Sequence, residues 1–171
     1  YLDCTSQDYR YPYFRADDHG VYAINAIRGD TKLIPVSPPS DNQRVSKLSV
    51  ALDADGNAVV KTHNTYNGLT EASIRGFWKQ VREDNRGAMM AQYVNSLSPG
   101  ALLDDFRISA LDDLSVPLEM DLNYRLPGLG VRAKDLMYLR MPTLERTYPE
   151  IGLAERTFAI NYMTTEERIL E

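Results

Sequence analysis

Val116-Pro117-Leu118-Glu119-Met120-Asp121-Leu122-Asn123-Tyr124-Arg125-Leu126 alternates apolar and polar residues without a break. In an extended chain successive side chains point to opposite faces, so this stretch is a strand with one face on a core and one in water. The same alternation runs earlier, where Leu48, Val50 and Leu52 interleave with Lys47, Ser49 and Ala51. Asp53-Ala54-Asp55-Gly56-Asn57 follows, with Gly able to take positive φ, and Ala58 to Thr65 returns as a second strand. Two half-buried strands joined by such a turn predict a hairpin, and the 116–126 segment predicts a further antiparallel neighbour.

Between these strands the period changes. Ile74, Phe77, Trp78 and Val81 fall at i, i+3, i+4 and i+7, one stripe of a helix, with Thr70 as its predicted N-cap and Glu71 in the first turn, where the dipole favours an acid. Asp84-Asn85-Arg86-Gly87 predicts a break. Met89, Met90, Tyr93, Val94 and Leu97 give a second stripe, ended by Ser98-Pro99-Gly100. Outside this pair, Val21 to Ile27, Leu103 to Leu111, Leu136 to Met141 and the set Phe158, Ile160 and Tyr162 read as strands. The expected class is mainly β (α+β): an antiparallel β-sandwich-like domain over residues 43–171, with a short helical pair inserted near residues 70–97. Pro35 to Asn42 is extended, because Pro fixes φ and lacks a donor, and it closes a first region of residues 1–42 as a linker.

Composition narrows the function classes. The 171 residues are 43% hydrophobic and 25% charged, a globular balance. Nineteen basic residues are spread among 24 acidic ones, for a net charge of −5, with no basic cluster of the kind a nucleic-acid backbone requires. No apolar run approaches the about 20 residues of a membrane span. A single cysteine, Cys4, allows no intrachain disulfide and no multi-cysteine zinc site. No cofactor motif is present. Tyr1-Leu2-Asp3 already reads as a strand, and Glu166 to Glu171 follows a strand pattern, so both ends read as cuts.

The candidate chemistry is sparse. Cys4 with His19 or His63 would make a nucleophile–base pair, but Cys4 lies in a strand-to-loop segment rather than at the electropositive helix start that activates a thiol. His19 and His63 read as surface or packing histidines. Asp53-Ala54-Asp55-Gly56 starts like a calcium loop, yet Asn64 stands where the bidentate Glu belongs, which leaves a hairpin turn. Asp104-Asp105 and Asp112-Asp113 are acidic pairs at strand ends. Trp78, Phe77, Met89 and Met90 read as core stripes. The loop carrying Tyr9, Tyr11, Tyr13 and Phe14 is the better surface candidate, since tyrosine brings contact area and a polar tip.

Tyr1-Leu2-Asp3-Cys4-Thr5-Ser6 resembles the last strand of a transglutaminase-like core, whose motif reads aromatic–Leu/Val–Asp–Pro–Thr. Cys4 stands where Pro is usual. The order of elements that follows (Gly20 before a strand over Val21 to Ile27, the Pro-rich run ending at Asn42, the hairpin of Leu48 to Val60, the helices) is similar to the C-terminal region, of unknown function, in bacterial transglutaminase-like cysteine peptidases. The resemblance implies that Asp3 is the orienting member of a Cys-His-Asp triad whose Cys and His lie upstream, and that residues 1–42 are the tail of that core plus a linker. It implies a non-catalytic accessory domain, a papain-like hydrolase parent, the upstream core as partner, and an exported, periplasmic setting. The alternative is an independent module that binds a surface glycan or a protein, which requires a concave, aromatic-lined site within 43–171. A free-standing hydrolase using Cys4 and a histidine is the third reading.

Overall fold

The computed structural model describes residues 5–139 and 167–171. Asp3 and Cys4, the end of the predicted 136–141 strand, and the strand expected around Phe158 to Tyr162 lie outside the described residues. The architecture is mainly β with two helices. Among the described residues nine strands run β1 (Tyr22–Ile24), β2 (Thr31–Leu33), β3 (Gln43–Leu52), β4 (Ala58–Tyr66), β5 (Leu102–Ile108), β6 (Leu118–Leu126), β7 (Gly130–Ala133), β8 (Leu136–Leu139) and β9 (Glu167–Leu170). Helices α1 (Gly68–Gln80) and α2 (Glu83–Leu97) fall between β4 and β5. The main sheet has the order β5-β6-β4-β3-β9; β1-β2 and β7-β8 are separate antiparallel pairs. Every pairing in the main sheet is antiparallel except β3 with β9, which aligns Arg44 with Arg168 in parallel.

The even-numbered residues of β4 and β6 make one face. Leu118, Met120, Leu122, Tyr124 and Leu126 are all buried, as are Ala58, Val60, Asn64 and Tyr66 opposite them. The helical pair forms the layer over this face, through Trp78, Met90 and Val94, with Ile74, Val81 and Phe106 packed around them. Burying an aliphatic or aromatic side chain of this kind stabilises by about 1.5–3 kcal/mol each, so this interface dominates the fold. The odd-numbered face carries Lys61, His63, Asp121, Asn123 and Arg125 and is partly or fully exposed.

Local structure departs from the sequence reading in three places. The cap of α1 is Asn67, not Thr70, and it makes no side-chain cap bond; instead Asn42 accepts from the Leu69 N–H at 2.8 Å, a cap supplied from the preceding linker. Gly68 takes φ +63° and its Cα lies so close to Asp41 that a Cβ would meet the Asp41 carbonyl oxygen at 2.1 Å. Asp84 to Gly87 is not a break. The chain bends at Val81-Arg82, and Glu83 and Asp84 sit in the first turn of α2, where acids offset the helix dipole. The apolar half of β3 is less covered than its alternation predicts, with Val50 and Leu52 about two-fifths exposed.

Candidate functional site

The helix stripes are divided rather than wholly core. Trp78 and Met90 are buried, while Phe77, Met89 and Tyr93 are 49%, 38% and 43% exposed. The chain bends at Val81-Arg82, where α1 ends and α2 begins. Between them lies a groove of about 310 Å³. Ile74, Phe77, Trp78, Met89, Met90 and Tyr93 form its walls, and the Phe77 and Trp78 rings meet edge to face at 5.2 Å. That volume is at the lower end of small-molecule sites, about 300–1,000 Å³.

The floor is sheet, and it is polar at one end. Met120 and Leu122 supply its apolar part, and Tyr66, Asn64 and Arg44 the rest. Ser46 donates to Asn64 Oδ1 at 2.7 Å, Arg44 bonds Ser46 Oγ and Asn64 Oδ1 at 3.3 Å each, and the Arg44 guanidinium lies 5.6 Å from the Tyr66 ring centroid. Asn64 donates to the Met120 carbonyl at 3.4 Å. Burial pushes the Tyr66 phenol up from its ordinary pKa, against the opposing pull of Arg44, and burial does the same to Tyr124. The result is a concave site with aromatic walls and Arg44 at its end. Among the described residues its lining holds no carboxylate.

Sequence reasoning missed Arg44, Ser46 and Asn64. Their signal was parity: positions 44 and 46 share the face of Leu48, and position 64 that of Val60, so each is a polar residue on a core-facing register. It placed Glu71 in the first turn of the helix but missed Arg75 and the pairing of the two. Both are essentially without exposure and paired at i, i+4, a spacing usually found on helix surfaces. Arg75 uses its whole fork. Nε and Nη2 bond Glu71 Oε1 at 3.0 and 2.9 Å, Nη1 bonds the Ala110 and Leu111 carbonyls at 3.0 Å, and Nη2 bonds the Val116 carbonyl at 2.8 Å. Arg10 closes the network on the other Glu71 oxygen at 3.2 Å and on Asn67 at 2.8 Å.

The other predicted residues scatter. Tyr11 is 75% exposed, while Tyr9, Tyr13 and Phe14 are half-buried, Phe14 against His19 at 4.6 Å and Tyr13 under Arg10 at 5.4 Å. His63 is in the open face, bonded to Asp121 at 2.7 Å, and Thr65 Oγ1 lies 3.5 Å from its other nitrogen. Arg107 also holds Asp121, at 2.8 Å. This is a row of polar side chains on the odd-numbered sheet face. Asp53 bonds Asn57 and the turn amides, as a hairpin turn requires. Asp104 is bonded by Arg125 at 2.9 Å, Asp112 pairs with Lys79 at 3.0 Å, and Asp113 binds Ser115 at 2.6 Å. Among the described residues no helix is long and apolar enough to cross a membrane. No family model, no curated protein and no solved structure matches the chain.

Proposed function

We propose that this chain is a non-catalytic binding module that takes a small, mainly apolar ligand in the groove between its helix pair and its sheet. The observation that supports this is the concave, aromatic-walled site within 43–171, bounded by Phe77, Trp78 and Tyr93 and floored by Tyr66, Asn64 and Arg44. Partly exposed Phe77, Met89 and Tyr93 at its rim leave apolar surface that a ligand would cover. Trp78 is the sole tryptophan, so its emission reports occupancy directly. Titration with an anilinonaphthalene sulfonate dye should give saturable quenching of Trp78. Ser73→Phe, on the α1 wall of the groove, should abolish that quenching while leaving the melting temperature unchanged. Equal titrations of the two proteins would place the dye elsewhere and end the reading.

A second reading is the accessory module of a transglutaminase-like protein. One observation favours it: the segment that follows Asp3 is held on α1 by Asp8 to Lys79 at 2.9 Å and by Arg10 to Glu71 and Asn67. A module that fixes this segment would fix the strand before it, and with it an orienting Asp3. In the longer polypeptide, Arg10→Ala should lower the turnover of amide hydrolysis or transfer while dye binding in the groove is kept. Equal turnover of the two proteins, or no amide chemistry in the longer polypeptide, would defeat this reading.

A further inference from the structure

We infer that the groove selects a neutral, flat apolar molecule of the aryl ketone class, whose one carbonyl oxygen accepts a hydrogen bond from the Tyr66 hydroxyl. The inference rests on the binding reading above and adds the ligand's chemistry. Tyr66 is the last residue of β4 and lies on the groove floor, with 4% of its surface exposed. Its ring is fixed by the core cluster around it and by the Arg44 guanidinium. Among the described residues its hydroxyl makes no hydrogen bond. Nearly every buried polar group in a folded protein has a partner, so a hydroxyl without one on the floor of a cavity points to a ligand that completes it. Burial raises the phenol, so it stays protonated and serves as a donor through the neutral range.

The rest of the lining sets the rest of the ligand. Phe77, Trp78, Met89 and Met90 offer ring edges, ring faces and thioethers, which favour a flat aromatic body. A glycan would leave hydroxyls against these walls without partners, at a cost for each one buried. A cation would find no carboxylate among the described lining residues. Arg44 is already bonded to Ser46 and Asn64 and set against the Tyr66 ring, so the floor offers the ligand a neutral donor rather than a free charge. Ser73 and Tyr93 also carry hydroxyls, but both residues are exposed, where water competes for their bonds. A groove of about 310 Å³ is at the small end of ligand sites and suits a body of one or two rings.

The test is a matched set of probes with one body, titrated calorimetrically with the whole chain: 2-acetylnaphthalene, 2-isopropenylnaphthalene, in which a CH₂ replaces the carbonyl oxygen, and naphthalene-2-carboxylate. The ketone should bind about three- to tenfold tighter than the hydrocarbon, the range one neutral hydrogen bond supplies. The carboxylate should bind more weakly than the ketone, because its charge loses water on entering apolar walls. Tyr66→Phe should bring the ketone-to-hydrocarbon ratio to about one, and Tyr93→Phe should keep it. Should Tyr66→Phe not fold, the ratios on the native chain and on Tyr93→Phe decide. If ketone and hydrocarbon bind equally and Ser73→Phe blocks both, the groove binds ligands but the inference is overturned. A ratio that survives Tyr66→Phe or vanishes with Tyr93→Phe overturns the assignment to Tyr66, and a carboxylate tighter than the ketone overturns the neutral class. If none of the three binds, the groove reading itself fails.

Discussion

Replacing Arg75 by Met should be among the most damaging single substitutions outside the apolar core. Arg75 has no exposure, and all five of its N–H groups bond to Glu71, Ala110, Leu111 and Val116. Met fills comparable volume, so no large cavity opens. What changes is charge and donors. Glu71 keeps only its bond from Arg10 and becomes a buried carboxylate without its main partner, and three carbonyls lose a donor. Removing one member of a buried pair costs about 3–5 kcal/mol. The carbonyl losses overlap with this figure rather than add to it. At roughly 2–4 °C per kcal/mol for a chain of this size, the melting temperature should fall by roughly 6–20 °C. Urea unfolding should show a lower midpoint at unchanged slope. Glu71→Gln with Arg75→Met should recover part of the loss, because the orphaned charge is gone. Arg82→Ala breaks an exposed pair with Asp84 and should cost under about 0.5 kcal/mol. If Arg75→Met costs less than about 1 kcal/mol, or no more than Arg82→Ala, the reasoning from burial is wrong.

Gly68→Ala should destabilise by more than Gly29→Ala. Both sit at positive φ, which costs an L-residue about 1–2 kcal/mol, but only at Gly68 does a Cβ strike backbone, while at Gly29 it meets open space; comparing urea midpoints of the two variants isolates the clash. Burial raises the Tyr66 phenol, so its contribution is complete below its unfolded value of about 10 and is lost as pH rises through the higher folded value. Tyr66→Phe should therefore reduce the alkaline loss of stability above about pH 10, measured by midpoint against pH. Burial works against the charge on Asp121, but the bonds from His63 and Arg107 outweigh it and hold this carboxyl below the ordinary range. Its contribution is thus present above the unfolded value of about 3.9 and lost as pH falls through the folded value, so Asp121→Asn should differ from the native chain near neutrality and converge with it in acid.

The class of the fold was legible because its strongest signals were local. The alternation over 118–126 is reproduced residue by residue in burial, and the 53–57 turn joins β3 and β4 as the predicted hairpin. Each of those segments needs only its own pattern to declare a face. Helix boundaries were less legible, because they depend on groups distant in sequence. The start of α1 is fixed by the Asn42 side chain and by the close approach of Asp41, and no propensity of Thr70 competes with a cap delivered from the linker. Gly87 misled for a similar reason. A glycine costs about 1 kcal/mol inside a helix, which is small beside the burial of Met90 and Val94 on the same helix.

The groove was half legible. Its walls appear in the sequence as two apolar stripes, but a stripe does not say whether its members meet each other or stand apart over a gap. That depends on where the helices bend, and the bend at Val81-Arg82 is two residues before the predicted break. The floor was readable in principle, since Arg44, Ser46 and Asn64 violate the apolar parity of their own strands. A buried polar residue on a core-facing register has to be satisfied, and here the three satisfy one another. The tyrosine loop drew attention because tyrosine is frequent at interfaces; Phe14 packs on His19 and Tyr13 on Arg10, while Tyr11 stands exposed. Composition marks residues able to bind, whereas a broken parity beside an apolar stripe marks a place where the fold has kept polarity inside at a cost.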